Sequence, residues 1–75
     1  MPATKAAAPI EIELRVRSMR ERREISQREL ARQAGLSHGY VQKVEAGLVN
    51  PTVRQIAALA LALDCSPYDL VLYKR

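Results

Sequence analysis

The sequence predicts an all-α domain of five short helices, and three observations carry that prediction. Phe and Trp are absent and the apolar residues are mostly Ala, Leu, Val and Ile, a composition suited to helices packed closely through small side chains rather than to a sheet held by aromatic pairs. Ser26, Ser37, Thr52 and Ser66 each stand just ahead of a run with helical apolar spacing, where a hydroxyl can accept from the free N–H groups of a first turn. Gly35 and Gly47 fall where two of those runs stop, as left-handed helix ends require. At 75 residues the chain has room for one domain, able to bury only about 60% of its unfolded surface.

Taken in order, residues 1–9, "MPATKAAAP", read as a flexible arm that can touch a phosphate backbone through Lys5. The domain proper then occupies 10–75. A first helix is expected over Ile10 to Arg23. Glu11 and Glu13 near its start and Arg20, Arg22 and Arg23 near its end complement a helix dipole, and Ile12, Val16 and Met19 form its buried stripe. "SQRE" makes a capping box of Ser26 and Glu29 that opens a second helix, Gln27 to Ala34, which Gly35 ends. Ser37 caps a third, "SHGYVQKVEAG", with Val41 and Val44 on its inner side and His38, Gly39, Gln42 and Lys43 on its outer side. Thr52 and Gln55 repeat the capping box ahead of a fourth helix reaching about Leu63, with Ile56, Leu59, Ala60 and Leu63 inward. Ser66 and Pro67 start a fifth through about Leu72, with Leu70 inward.

The segment Gln27 to Ala46 is the specific one. It places Leu30, Ala31 and Ala34 on one helix, Gly35 at the turn, Leu36 after it, and Val41 and Val44 on the next helix. Two helices crossing through so short a turn need a small residue at the crossing, Ala31, and a turn residue tolerant of positive φ, Gly35. This is a helix-turn-helix. With "MRERREISQRELARQAGLS", "YVQKVEAG", "NPT" and "LALALDCSPYDL" in that order, the chain resembles the lambda-repressor-like, Cro/CI or XRE, family of helix-turn-helix DNA-binding proteins over about Ile12 to Leu70.

That resemblance implies that the second helix lies across a DNA backbone while Ser37 to Ala46 enters the major groove. By position, Ser37, His38, Gly39, Gln42 and Lys43 match base-reading sites, and Gln27, Arg28, Tyr40, Asn50 and Thr52 match phosphate-contacting ones. Lys43 can donate to guanine O6 or N7 and Gln42 can bond adenine bidentately, each worth about 1 to 3 kcal/mol of discrimination, and His38 can donate to the same guanine acceptors. Gly39 has no side chain to read with, so the position is expected to specify nothing unless the backbone approaches the DNA closely there. The resemblance also pairs Arg20 with Glu45 as a structural ion pair between the first and third helices. Glu24 and Asp64 depart from the family, standing where it usually has Gly, and the two turns are expected to be tighter, longer or differently capped. Ala58 and Leu61 stand where charged residues are common. Leu61, with Tyr68, Val71, Leu72 and Tyr73, is therefore the candidate dimer contact.

Charge agrees with a nucleic-acid partner. The net charge is +4, and from Arg15 to Arg54 nine basic residues face four glutamates, an electrostatic footprint of DNA binding as well as of an ordinary solvated surface. Arg15, Arg17, Arg22, Arg23 and Arg32 are expected to divide between phosphate contacts and pairing with Glu11, Glu21 or Glu29. The single Cys65 rules out an intramolecular disulfide and fits a reducing cytoplasm. The longest apolar run, Ile56 to Leu63, is far below the roughly 20 residues of a membrane span. One histidine and one cysteine give no metal site, and Ser26, Ser37 and Ser66 are better explained as caps than as nucleophiles. No cofactor or small-molecule ligand is implied and no enzyme activity is expected. The expected function is sequence-specific binding of double-stranded DNA by a small transcriptional regulator, most simply a repressor, acting as a symmetric homodimer on an inverted repeat. An antitoxin, a restriction-modification controller protein and, from another class, a protein-binding adaptor of the bridging-factor type are the alternatives.

Overall fold

The computed structural model describes residues 11–74. The N-terminal arm with Lys5, and the predicted helix start at Ile10, lie outside the described residues. The order of elements is β1 (Glu11–Leu14), α1 (Val16–Arg22), α2 (Gln27–Ala34), α3 (His38–Glu45), α4 (Val53–Ala62), α5 (Pro67–Leu70) and β2 (Val71–Lys74). All five helices form, and a small sheet joins the two ends of the described chain.

That sheet corrects two helix boundaries. Glu11 to Leu14 is not the first turn of α1 but a strand, antiparallel to β2, with Glu11, Ile12, Glu13 and Leu14 opposite Lys74, Tyr73, Leu72 and Val71. Polar and apolar residues alternate along "EIEL", the period of a strand, and its partner "VLYK" is rich in β-forming residues. Ile12 accordingly leaves the predicted core stripe and is 62% exposed. Glu11 and Glu13 lie outside the helix whose dipole they were expected to complement. α5 ends at Leu70 rather than Leu72.

The core is Val16, Leu30, Ala31, Val41, Val44, Leu59, Ala60, Leu63 and Leu70, with Met19, Ala34, Ile56 and others packed against it. Every helix contributes, which is how so short a chain closes one apolar centre. Ser26, Ser37 and Thr52 accept from the backbone N–H of Glu29, Tyr40 and Gln55, respectively. Thr52–Gln55 and Ser66–Asp69 are reciprocal capping boxes. Ser26–Glu29 is not reciprocal: the Glu29 carboxylate instead accepts from Arg32 and Gln33.

Four helices end in the same way. Gly35, Gly47, Glu24 and Asp64 all take positive φ, at 71°, 76°, 57° and 56°. In each case the next residue's N–H reaches back five positions: Leu36 to Ala31 at 2.9 Å, Leu48 to Lys43 at 2.9 Å, Ile25 to Arg20 at 3.4 Å and Cys65 to Ala60 at 2.9 Å. The turns at Glu24 and Asp64 are therefore neither tighter nor longer than a glycine turn. They are the glycine turn, held by residues whose Cβ makes the conformation costly.

Candidate nucleic-acid interface

α3 is oriented from beneath by one ion pair. Arg20 of α1 donates through Nε to Glu45 Oε2 at 2.7 Å and through Nη2 to Oε1 at 3.1 Å. The two side chains are 13% and 3% exposed, so the charges meet almost out of water. Nη1 of Arg20 also donates to the Ile25 carbonyl at 2.8 Å, fixing the start of the α2 loop. Bonding to Glu45 raises the Arg20 pKa against the opposing effect of burial.

The same carboxylate reaches the outer surface through Gln27. Gln27 Nε2 donates to Glu45 Oε1 at 2.9 Å, and Gln27 Oε1 lies 3.4 Å from His38 Nε2. A chain of polar contacts thus runs from α1 through the last residue of α3 to the first of α2 and back to the first of α3. Tyr40 extends the bracing on the other side: its hydroxyl donates to Gln55 Oε1 at 2.6 Å, an oxygen that also accepts from the Thr52 N–H at 2.8 Å. Tyr40 has one hydroxyl proton, and here it joins α3 to the cap of α4, a contact the sequence did not disclose.

Outside this frame Ser37, Gly39, Gln42 and Lys43 are exposed and His38 is half-buried. Arg28, Asn50 and Thr52 are exposed, while Gln27 and Tyr40 are half-buried through the bonds just described. Several arginines are already paired: Arg17 with Glu21 at 3.3 Å, Arg23 with Asp64 at 3.5 Å, and Arg32 with Glu29. Arg32 and Gln33 hold the Glu29 carboxyl down at about 2. Among the described residues Arg15, Arg22, Arg28, Lys43 and Arg54 form no ion pair with a carboxylate, Arg15 being bonded instead to the Asp69 carbonyl and Arg22 to the Met19 sulfur.

Arg54 is the cation that sequence reasoning passed over. It lies in the first turn of α4, as Arg28 lies in that of α2, and a cation at the positive end of a helix dipole is unfavourable unless an anion joins it. That misplaced charge was the available signal. Leu61 and Tyr68 are exposed, as is Leu72, and Val71 is half-buried. Tyr73 is described here only by its place in β2. Among the described residues no group of three His, Cys, Asp or Glu could hold a metal, and no helix is long and apolar enough to cross a membrane.

The packed α2 and α3, the Gly35 turn between them and the buried pair beneath them define a helix-turn-helix domain of the repressor type. The helix-turn-helix family model matches residues 16–70, and the chain belongs to that family, in its Cro/CI or XRE branch of transcriptional regulators. It is 40% identical over 60 residues to an HTH-type transcriptional regulator of Mycobacterium tuberculosis that is itself uncharacterized, aligning 80% of this chain with 41% of the relative. The chain thus spans about two fifths of that relative's length.

Solved structures agree on the fold. The restriction-modification controller protein C.AhdI of Aeromonas hydrophila superposes with a TM-score of 0.72 at 40% identity, covering 73% of this chain and 83% of that one. The P22 c2 repressor, in complex with a synthetic operator, gives 0.67 at 32% identity, covering 71% and 80%.

Proposed function

We propose that this chain is a transcriptional regulator that reads double-stranded DNA, with α3 in the major groove and the N-termini of α2 and α4 on the flanking phosphates. The observation that carries the reading is the combination of a rigidly seated α3 with an outer face left free. Base reading falls to Ser37, His38, Gln42 and Lys43, with Gly39 allowing close approach of the backbone. Arg28, Asn50, Thr52 and Arg54 serve the backbone. Gln27 and Tyr40 can join them only by sharing or exchanging bonds they already make. The chain acts in the cytoplasm, on the nucleoid, and binds an inverted repeat as a homodimer with half-sites about one helical turn apart. The likeness to C.AhdI favours a controller-type regulator as the second reading.

Selection of duplexes from a randomised pool tests this directly. An enriched inverted repeat supports the dimeric regulator, and no enrichment at moderate salt points to the protein-binding adaptor. Lys43→Ala is expected to weaken the selected site by about 1 to 3 kcal/mol and relax one base position, whereas Arg54→Ala should weaken all duplexes alike and flatten the salt dependence.

A further inference from the structure

The Tyr40–Gln55 contact decides where the protons at the start of α4 go. Gln55 Oε1 accepts from the Thr52 N–H at 2.8 Å, and an N–H only donates, so the amide cannot be turned the other way round. The Tyr40 hydroxyl lies 2.6 Å from the same oxygen and must be the donor, because an amide oxygen offers lone pairs alone. Its single proton is thereby committed inside the protein. The phenol oxygen keeps only lone pairs for anything outside, and a phosphate oxygen is itself an acceptor.

The other half of the Gln55 amide is in the opposite state. Gln55 is half-buried, and among the described residues nothing accepts from its Nε2. No buried side-chain nitrogen or oxygen among the described residues lacks a bond, so Nε2 reaches the surface with its two N–H groups free. The residue type points the same way. A capping box needs only an acceptor at its third helical position, and a carboxylate there also suits the positive end of the helix. Asp69 fills that role for α5, accepting from the Ser66 N–H at 2.9 Å. At Gln55 an amide makes the same kind of acceptor bond, adds two donors and carries no negative charge. Both differences suit a surface turned to phosphates, and Arg54, beside it in the same turn, forms no ion pair with a carboxylate among the described residues.

We infer that Gln55, not Tyr40, takes the phosphate at this corner of the interface. Nε2 donates to a non-bridging phosphate oxygen while Oε1 keeps Tyr40 and Thr52, so α3 and the start of α4 stay joined when DNA is bound. Tyr40 is then a positioning residue, holding α3 at a fixed distance from the cap of α4, and its hydroxyl leaves the set of phosphate donors in which the family resemblance places it. The inference rests on the proposed seating of α3 and α4 on DNA and assigns one contact within it.

The test uses the duplex recovered from the randomised pool, with each phosphate in turn replaced by a neutral methylphosphonate. Tyr40→Phe is expected to bind the unmodified duplex within about twofold of the unaltered chain, and Gln55→Met to lose about tenfold, as for a hydrogen bond to a charged group. At one phosphate the replacement should cost the unaltered chain and Tyr40→Phe about tenfold and Gln55→Met nothing further. Loss of the cap alone would leave Gln55→Met as sensitive as the unaltered chain at every phosphate. Gln55→Glu keeps an acceptor for both Thr52 and Tyr40, so its unfolding transition should be retained while its binding weakens at that same phosphate. Two outcomes would overturn the inference and leave DNA binding standing: Tyr40→Phe losing the tenfold together with its sensitivity at one phosphate, or Gln55→Met keeping full sensitivity at all of them. If the unaltered chain selects no duplex, the DNA reading itself fails and this contact fails with it.

Discussion

Replacing Glu45 by Ala is expected to cost about 3 to 5 kcal/mol, because it strands a buried guanidinium rather than merely deleting a contact. Glu45 accepts three hydrogen bonds, two from Arg20 at 2.7 and 3.1 Å and one from Gln27 at 2.9 Å. After the substitution Arg20, 13% exposed, keeps only the Ile25 carbonyl. A small domain has about 5 to 15 kcal/mol in total, so the single variant should stand near the edge of folding. Arg20→Met with Glu45→Leu removes both charges and fills the space, and is expected to cost less than Glu45→Ala alone. Urea titrations give the comparison through the midpoint at unchanged slope. A cost below about 1 kcal/mol for Glu45→Ala, or single-variant costs that simply add in the double variant, would refute the buried-pair reasoning.

Glu24→Gly is expected to stabilise the domain by roughly 0.5 to 1 kcal/mol, since it relieves the left-handed strain at φ 57° and gives back part of that gain as unfolded-chain entropy; thermal unfolding reads the sign. Its mirror, Gly35→Ala, should destabilise although a Cβ there would meet nothing within 4 Å, because the penalty lies in the backbone alone. The Glu29 carboxyl should titrate near 2, and Arg32→Ala should return it toward the ordinary carboxylate range, as followed by carboxyl carbon shifts. A lowered folded-state pKa means that this contribution to stability is complete above the unfolded value near 4.5 and disappears as pH falls toward 2.

What the sequence disclosed follows from where its signals are local. Capping hydroxyls and helical apolar spacing act within one or two turns, so α2, α3 and α4 could be placed from Ser26, Ser37 and Thr52 almost to the residue. Glu11 to Leu14 failed because its partner lies about sixty residues away in the chain, and a four-residue alternation cannot outweigh an adjoining helix pattern until that partner is known. Glu24 and Asp64 show the reverse case. Their side chains argue against a left-handed turn, yet the packing of α1 and α4 on the common core imposes it, with the five-back hydrogen bonds as compensation. In the site, the Arg20–Glu45 geometry could be anticipated only from family likeness, and the Tyr40–Gln55 bond not at all, because Gln55 was fully accounted for as a cap.

On the proposed major-groove placement of α3, the Glu45 network also bears on which base His38 would take. A carboxylate only accepts, so Gln27 must turn Nε2 to Glu45 and Oε1 to His38. An amide oxygen likewise only accepts, which requires the proton of a neutral His38 ring to reside on Nε2 and leaves Nδ1 as its acceptor. In the major groove the donors are adenine N6 and cytosine N4, whereas guanine offers acceptors alone. If α3 enters the major groove as proposed, a neutral His38 held this way should prefer adenine or cytosine, which would leave guanine to Lys43. Ring-nitrogen shifts are expected to show the Nε2–H tautomer, and Gln27→Ala should let the two tautomers mix. A predominant Nδ1–H form in the unaltered protein would mean that Gln27 does not orient the ring, and that the polarity set at Glu45 stops short of the outer face of α3.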